Sequence, residues 1–557
     1  MAEKINIKLN KNYYTKNSIE GALSDFSELG VGKIVSDDFE VELTLKEDLP
    51  NLKEEFINYV FALMKNSPEE MESLNIYDKN GFSECKDEEI VNNFTRIKKI
   101  DDKFLVVDDF GNWVSLNEHE YDVYRRRNYE NEPNLLNKLL DNNIVLNEKN
   151  IEDCVEHSKK KKDFLNYGTS LHIVVLTKKC NHNCSYCQTG ARMEDDEKYD
   201  MDISIAKKVV DRIFESPNNN IVIEFQGGEP LLNFETLKFI VEYANNKNIT
   251  AKKKIQMSIV TNLTLMDEKK LNFLLSNGVS ICTSLDGPEE IHNSCRQDHS
   301  IVCKWINKIQ QKVDNSEKIH KVNALMTVTK FSLNKHKEII DEYIKHGFHR
   351  IFVRQMSELG HGENQKELQP TPNDFIDFWK KSLDYILELN KKGTFVFEWK
   401  TLVILKKLFN RNDPNYAELR SPCGAVTGQL AYNYDGDVYT CDEGRMIDEE
   451  VFKLGDVNQS HKTLTTSSCA CNIIASSIND TLYCDKCVYK PFCGVCPVLN
   501  YATKGSIITN IPSTSWCKIH GAQFDYVFKK IIDGGKEKEI LMEWLSKEEE
   551  CFERLGH

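Results

Sequence analysis

Apolar positions in the middle of the chain predict strands that alternate with helices. The strand candidates are LHIVVLT (171–177), IVIEFQ (221–226), IQMSIVT (255–261), VSICTSL (279–285), NALMTVT (323–329) and RIFVR (350–354). Stretches with apolar residues at helical spacing, such as ISIAKKVVDRIFES, separate them. Apolar strands alternating with amphipathic helices indicate a parallel sheet. We therefore expect an α/β fold with a partial (β/α)6 barrel over residues 168–390, with chemistry at the carboxyl ends of its strands.

Smaller units flank this segment. Residues 1–80 predict a small α/β unit, with strands at INIKLN and FEVELTL and a helix at LKEEFINYVFALMKN, followed by a linker at 81–90. In residues 90–155, DKFLVVDDFGNWVSL predicts a hairpin that turns at Asp109-Phe110-Gly111, followed by helices at EHEYDVYRRR and EPNLLNKLLDNN. Residues 415–530 are rich in cysteine and loops, and residues 531–557 predict a helical tail.

Composition narrows the class of protein. The 557 residues are 40% hydrophobic and 29% charged, which suits cores of ordinary size. No run approaches the roughly 18 apolar residues of a membrane span, and the first residues lack the apolar stretch of a signal peptide. We expect a cytoplasmic protein with no membrane partner. The net charge of −15 argues against nucleic acid as a partner, because phosphate binding needs clustered Lys and Arg.

Cysteine is the unusual component. The chain has 18 cysteines, and eight of them lie between Cys423 and Cys496. Disulfides are rare in a reducing compartment, so clustered cysteines at short spacings indicate metal or iron–sulfur ligation.

The motif Cys180-x3-Cys184-x2-Cys187 begins just after the first barrel strand. A [4Fe–4S] cluster usually takes four thiolates, whereas only three are close together here. Three thiolates would leave one iron open to a small-molecule ligand, as a catalytic zinc keeps an open position. A structural zinc or a chance group of cysteines remains the alternative.

Polar and glycine residues follow the next strands. Strand two ends in Gln226-Gly227-Gly228-Glu229, where glycines free the backbone and Glu229 could anchor a ligand amine. Strand three ends at Asn262, and strand four ends at Ser284. Singly each could be a turn, but successive strand ends share one edge of a barrel.

These motifs resemble the radical SAM superfamily, whose members use S-adenosylmethionine (SAM). The resemblance implies that Cys180, Cys184 and Cys187 hold a [4Fe–4S] cluster that cleaves SAM, and are the catalytic centre. It also implies that residues 226–229 contact the methionyl part of SAM, and that Asn262 and Ser284 contact its ribose or carboxylate.

The C-terminal cysteines are similar to a SPASM domain, an extension that binds two auxiliary [4Fe–4S] clusters. The similarity implies a second auxiliary cluster on Cys484, Cys487, Cys493 and Cys517. It implies a first one on Cys423, Cys441 and Cys496, with Cys469 or Cys471 as the fourth ligand or with an open iron. The spacing before Cys496 is one residue shorter than the family pattern, and Cys-x2-Cys pairs also suit zinc.

Residues 92–150 resemble a PqqD-like element that binds a leader peptide at a sheet edge. From about 90 to 530 the chain resembles radical SAM maturases of the His-Xaa-Ser peptide system, for example in IEFQGGEPLLNF, RIFVRQMSELGHG and CVYKPFCGVCPVLNY. The first 75 residues resemble the small companion protein of that system. RQMSELGHG departs from the more proline-rich family version, which leaves room for a sister system with another precursor.

The resemblance implies an enzyme that abstracts hydrogen from a precursor peptide with a leader and closes a thioether, carbon–carbon or carbon–oxygen crosslink. It implies flavodoxin or ferredoxin as reductant. The alternatives are oxidation of a protein Ser or Cys, as in anaerobic sulfatase maturases, peptide epimerisation, or a non-enzymatic iron–sulfur or zinc scaffold.

Overall fold

The computed structural model describes residues 4–9, 16–28, 30–36, 39–45, 60, 90–191, 196–314, 322–360, 365–481 and 483–552. The chain divides into two compact units, Met1–Ile90 and Val91–His557, and each is treated by itself.

The described part of the first unit is a sheet with one helix. Its elements are β1 (Lys4–Lys8), α1 (Lys16–Asp25), β2 (Gly30–Ile34) and β3 (Glu40–Leu45). β3 pairs antiparallel with both β1 and β2, and Ile7, Ile19 and Val41 are buried between sheet and helix. The strands predicted at INIKLN and FEVELTL are confirmed. The helix predicted at 52–66 lies outside the described residues apart from residue 60, and so does the linker at 81–89.

Near its start, the described part of the second unit contains a three-stranded antiparallel sheet. Its first elements are β4 (Val91–Asn92), β5 (Thr95–Ile100), β6 (Lys103–Asp108), β7 (Trp113–Leu116), α2 (Glu118–Arg125), α3 (Pro133–Asp141), β8 (Val145–Leu146) and α4 (Ile151–Lys162). β5, β6 and β7 pair in chain order. The predicted hairpin is confirmed between β6 and β7. Asp108 Oδ1 accepts hydrogen bonds of 2.8 Å from the amides of Phe110 and Asn112, and Gly111 has a φ of +88°.

Parallel strands and helices then alternate. They are β9 (Leu171–Val175), α5 (Ile203–Phe214), β10 (Asn220–Gln226), α6 (Phe234–Ala251), β11 (Lys254–Thr261), α7 (Glu268–Ser276), β12 (Val279–Ser284), α8 (Glu289–Cys295), α9 (His299–Asp314), β13 (Asn323–Val328), α10 (His336–Lys345), β14 (Arg350–Ile351), β15 (Val353–Gln355), α11 (Pro372–Lys391), β16 (Phe397–Glu398) and α12 (Trp399–Phe409). The sheet order β15-β13-β12-β11-β10-β9 is the expected curved parallel sheet of a partial barrel.

The prediction of one strand at RIFVR is wrong in detail. The backbone breaks at Phe352, so β14 pairs with β16 while β15 pairs with β13. The two halves of RIFVR therefore pair with two different strands, β16 and β13, which are both distant in sequence.

The cysteine-rich segment continues the same sheet. Its elements are β17 (Gln429–Tyr432), β18 (Asp437–Tyr439), α13 (Asp442–Ile447), β19 (Lys453–Asp456), α14 (His461–Thr465), α15 (Ser468–Ser476), α16 (Pro497–Lys504), α17 (Ser515–Asp533) and α18 (Gly535–Phe552). β17 adds parallel to β9, and β18 and β19 follow as antiparallel strands. β9, which leads into the cysteine motif, is therefore an interior strand.

The last two helices pack into the main core. Ile531 of α17 and Ile540, Leu541 and Trp544 of α18 are buried there. The described part of the predicted tail is thus a packed helix. Among the described helices, none combines the length and apolarity needed to cross a membrane.

Candidate active site

The loop that carries Cys180 is held against the loop after β10 by backbone hydrogen bonds. The amide of Gly228 donates to Thr177 O at 2.9 Å, and the amide of Glu229 donates to Lys179 O at 2.8 Å. A Cβ at Gly228 would lie 2.1 Å from Lys179 O and 3.0 Å from Cys180 Cβ. Glycine is required here because two backbones meet beside the first cysteine.

Glu229 ties β10 to β11. Its carboxylate is 1% exposed and accepts from Thr261 Oγ1 at 2.6 Å, from the Asn262 amide at 2.8 Å and from the Leu231 amide at 3.0 Å. Burial raises the pKa of Glu229 to about 6 in spite of these bonds. Both carboxylate oxygens thus already have protein partners, so the side chain fixes the strand ends that the sequence assigned to SAM.

The other predicted SAM contacts also take part in protein hydrogen bonds. Asn262 Nδ2 donates to Asn181 Oδ1 at 2.9 Å, which joins the end of β11 to the cysteine loop. Gln226 Nε2 donates to Glu224 at 2.6 Å, and Gln226 Oε1 accepts from Arg445 Nη2 at 3.0 Å. The structure therefore brings the cysteine loop, residues 226–229 and Asn262 together. Ser284 ends β12, the neighbour of β11.

A buried group that the sequence did not suggest lies beside the second cysteine of the motif. Arg296 Nε donates to Asp286 Oδ2 at 3.1 Å, and both Arg296 and Asp286 bond the hydroxyl of Tyr186. Arg296 Nη1 is 3.9 Å from Cys184 Sγ. A guanidinium at this place offsets negative charge on the sulfur ligands of a cluster.

The three thiols of the motif interact electrostatically with one another. Burial, together with smaller contributions from the charges of Glu229, Cys184 and Cys187, raises the pKa of Cys180 to about 12. Such thiols stay protonated until a metal ion displaces the protons. A set of soft sulfur donors with one nearby cation fits an iron–sulfur cluster.

Four C-terminal thiols form a second group. Burial raises the pKa of Cys493 to about 12, with further contributions from Cys487, Cys517 and Cys484. The pKa of Cys517 is raised by burial and then by Cys487 and Cys484. These are the four residues expected for the second auxiliary cluster, and they provide a complete set of thiolates for a [4Fe–4S] cluster.

A third group contains Cys423, Cys441 and Cys496. Burial raises the pKa of Cys441, and Glu443, Cys496 and Cys423 add to the shift. Of the candidate fourth ligands, Cys469 packs against the same buried cluster as Cys423 and Cys441, and its Sγ donates to Val451 O at 3.1 Å, whereas Cys471 is exposed. The buried carboxylate of Glu443 is the acidic neighbour of this group, and burial raises its pKa to about 7.

One cavity of about 310 Å³ lies between these groups. Gln188 of the cysteine loop, Arg354 and Gln355 at the end of β15, Glu443 beside Cys441, and Trp516 beside Cys517 line it. The buried atoms Gln355 Oε1 and Gln523 Oε1 have no hydrogen-bond partner among the described residues, and both residues line the cavity. Free acceptors on the wall suit a ligand that brings N–H or O–H donors.

Sequence reasoning missed the charged wall of this cavity. Lys400 Nζ and Glu418 Oε2 form an ion pair of 3.0 Å, and Lys400 and Arg354 lower the pKa of Glu418 to about 2 despite its burial. These residues lie 18 or more positions apart or on different elements. The only signal for them in the sequence is their position, after a strand or at the start of a helix.

Comparisons with known proteins agree with this geometry. The model of the radical SAM superfamily matches residues 174–374. A cysteine-type anaerobic sulfatase-maturating enzyme of Clostridium novyi (strain NT) is 26% identical over 335 residues, which are 58% of this chain and 86% of the relative. The radical SAM cyclopropyl synthase TigE of Paramaledivibacter caminithermalis is 25% identical over 315 residues, 54% of this chain and 63% of the relative.

The fold also matches a solved structure. The native anSMEcpe structure with bound AdoMet superposes with a TM-score of 0.56 at 24% identity, covering 66% of this chain and 98% of that chain. The family match lies on the segment that carries the three-cysteine loop and the strand ends around it. Residues 174–374 therefore form a radical SAM domain, and the protein is an enzyme with SAM and [4Fe–4S] clusters as its cofactors.

Proposed function

We propose that this enzyme is a maturase that installs a crosslink in a ribosomally made precursor peptide. The observation that carries the proposal is the cavity between the Cys180 loop and both C-terminal thiol groups. A substrate side chain in this cavity would reach the SAM site from one wall and the auxiliary sites from the other. The resemblance to His-Xaa-Ser maturases and the sequence likeness to TigE favour a peptide substrate.

A sheet edge near the start of the second unit suits a leader peptide. β5 pairs with β6 on one side, and no described strand pairs with its other side. The edge carries two exposed apolar residues, Ile97 of β5 at 41% and Phe94 just before it at 63%, beside the basic residues Lys98 and Lys99. An extended peptide could add to this edge through backbone hydrogen bonds, with side chains packed on the apolar residues.

The proposed assignment of ligands follows the three thiol groups. Cys180, Cys184 and Cys187 would hold the SAM cluster; Cys484, Cys487, Cys493 and Cys517 the second auxiliary cluster; and Cys423, Cys441 and Cys496 the first, which would have an open iron. A cluster bound at the SAM site would supply the electron for reductive cleavage of SAM, and so the means to take a hydrogen atom from the substrate. Flavodoxin or ferredoxin would supply that electron.

The residues of the chain have positioning roles in this proposal. Gly228 and Glu229 fix the loop of Cys180 through its backbone, and Arg296 offsets charge at Cys184. Trp516 and Gln523 of α17 form part of the cavity wall, as does Gln188 of the cysteine loop.

Iron content tests the ligand assignment. Three clusters predict about twelve iron atoms per chain after anaerobic reconstitution, and Cys184→Ser should lower this by about four and abolish 5′-deoxyadenosine. Cys484→Ser should lower iron by a similar amount while SAM cleavage persists. Normal 5′-deoxyadenosine formation by Cys184→Ser would refute the assignment.

Mass spectrometry of a peptide encoded beside the gene tests the reaction. A crosslink removes two hydrogens: one would leave as an atom to the adenosyl radical, and the other as a proton, with the remaining electron passing to an auxiliary cluster. We expect this loss without any carbonyl that hydroxylamine can capture. A captured aldehyde would favour the second candidate, sulfatase-maturase-like oxidation of a Ser or Cys, which the 26% identical relative supports. A mass that is unchanged in H2O but rises by one deuterium in D2O would indicate epimerisation.

The leader site is tested by Ile97→Asp, because a buried carboxylate would oppose docking of an apolar leader. We expect KM for the peptide to rise at least tenfold, with SAM cleavage in the absence of peptide unchanged. Ile203→Asp, at a residue of similar exposure (45%) on α5, is the matched control and should leave KM unchanged. Equal KM values for the two variants would remove the leader site from the proposal.

A further inference from the structure

A buried group of potential metal ligands joins α9 to α10, outside the site described above. His299 and Cys303 are four residues apart on α9, and Glu342 of α10 is four residues before His346, which caps the end of that helix. Spacing of four places two side chains on one face of a helix, as in helical zinc motifs. All four residues are 6 to 8% exposed.

The distances match those between ligands of one ion. His299 Nε2 lies 3.3 Å from Cys303 Sγ and 3.4 Å from Glu342 Oε1. In a tetrahedral zinc site, bond lengths of about 2.0 to 2.3 Å separate N and O ligands by about 3.4 Å, and N and S ligands by about 3.6 Å. One ligand atom from each of His299, Cys303 and Glu342 lies within 4.8 Å of the others.

The surrounding residues complete the pattern of a zinc site. His346 Nε2 is 3.0 Å from the same Glu342 Oε1, and its Nδ1 bonds Asn307 Oδ1 at 2.7 Å, which fixes the ring. Lys345 Nζ donates to both oxygens of Glu342, at 3.0 Å to Oε2 and at 3.2 Å to Oε1, and Oε1 is also the oxygen that lies 3.4 Å from His299 Nε2. A thiolate and a carboxylate together neutralise a divalent ion, as burial demands.

We propose that His299, Cys303 and Glu342 bind a structural Zn²⁺ ion, with His346 in reach of the fourth position. The ion would brace the first turn of α9 against α10. The His299 ring packs edge-on against His292 at 5.4 Å, and His292 Nδ1 accepts from the Asp286 amide at 3.4 Å. The brace would therefore support the turn that places Asp286 beside Arg296, and the proposed role is in folding rather than in catalysis.

The test uses the full chain, reconstituted anaerobically with iron and sulfide and analysed for zinc and iron by mass spectrometry. We expect about one zinc per chain in the wild type, and less than a tenth of that in Cys303→Ser and in His299→Asn. Cys154→Ser removes another buried thiol and should keep the zinc. Zinc absent from the wild type, or retained equally in all variants, would overturn the proposal.

X-ray absorption at the zinc edge of the wild type provides a second measurement that needs no variant. It reports only zinc, so the iron–sulfur clusters do not interfere. One sulfur neighbour with two or three nitrogen or oxygen neighbours is expected. Three or four sulfur neighbours would mean that zinc occupies the cluster thiols instead, and would refute the site even if Cys303→Ser failed to fold.

Discussion

Substitution of Asp286 by Asn tests the buried group beside Cys184. Asp286 Oδ2 accepts from Arg296, and Oδ1 accepts from the Thr327 amide at 3.0 Å. In Asp286→Asn, one oxygen becomes an NH2 donor, so either Arg296 or Thr327 faces a donor. The Asp286 side chain is 3% exposed and that of Arg296 is 17% exposed, so the guanidinium would stay buried without its counter-charge.

The magnitude follows from this burial. Breaking one partner of a buried ion pair costs about 3 to 5 kcal/mol, whereas an exposed pair is worth less than about 1 kcal/mol. At about 1.4 kcal/mol per tenfold change, the lower value raises the local opening constant by more than about 100-fold. Hydrogen exchange of peptides covering residues 285–297 and 322–329 measures this opening.

The matched control is Asp298→Asn in the same segment. Asp298 is 46% exposed and pairs with His182 at 3.1 Å, so we expect exchange to rise by about fivefold or less. Iron retained after gel filtration gives a second readout, because Arg296 contacts the Cys184 sulfur. Equal exchange rates in the wild type and Asp286→Asn would show that the pair does not hold this turn, and would refute the reasoning.

Three further predictions concern other contacts. Gly228→Ala should abolish cluster retention and SAM cleavage, because the new Cβ would lie 2.1 Å from Lys179 O. Gly521→Ala, which adds a Cβ in open space, should leave both intact. Iron content and 5′-deoxyadenosine formation are the measurements that distinguish the two variants. Burial lowers the pKa of His172 from 6.5 to about 3. Between these pH values the folded state binds fewer protons than the unfolded state, so the free energy of unfolding falls as the pH drops. At pH 5.5 this decrease in the free energy of unfolding is about 1.4 kcal/mol. His172→Asn should therefore lose less thermal stability than the wild type between pH 7.5 and 5.5 in scanning calorimetry, and an equal loss contradicts the assignment. Arg445→Met removes the 3.0 Å hydrogen bond to Gln226. We expect the rate of peptide modification to fall at least tenfold, while SAM cleavage without peptide falls less than threefold. Equal losses of the two activities would mean that Arg445 acts on SAM alone.

The sequence was informative where one local pattern determines one element. Five of the six predicted barrel strands lie within two residues of their predicted positions, because a buried parallel strand is a continuous apolar run. The thiol groups could also be predicted from the sequence, since iron–sulfur ligands keep short spacings such as Cys484-x2-Cys487. Both patterns are local along the chain.

The features that sequence reasoning missed depend on distant partners. Tyr186 and Arg296 are 110 residues apart, and nothing in either local pattern indicates that they meet at Asp286. The strand Gln429–Tyr432 reads as an ordinary apolar run, and its pairing with β9 is set by packing of the whole unit. Glu229 has the right position for a ligand contact, but its oxygens are used to join two strands.

The parallel pairing of β9 with β17 has a consequence for synthesis in the cell. Leu171 pairs with Gln429, so the partner strand leaves the ribosome roughly 260 residues later, which takes on the order of tens of seconds at about 5 to 20 residues per second. During that time the strand before Cys180 has one unpaired side, a state open to wrong pairing with other chains. Chains cut before residue 429 should therefore aggregate, and cofactor loading at Cys180 should follow translation of the C-terminal segment instead of accompanying the barrel.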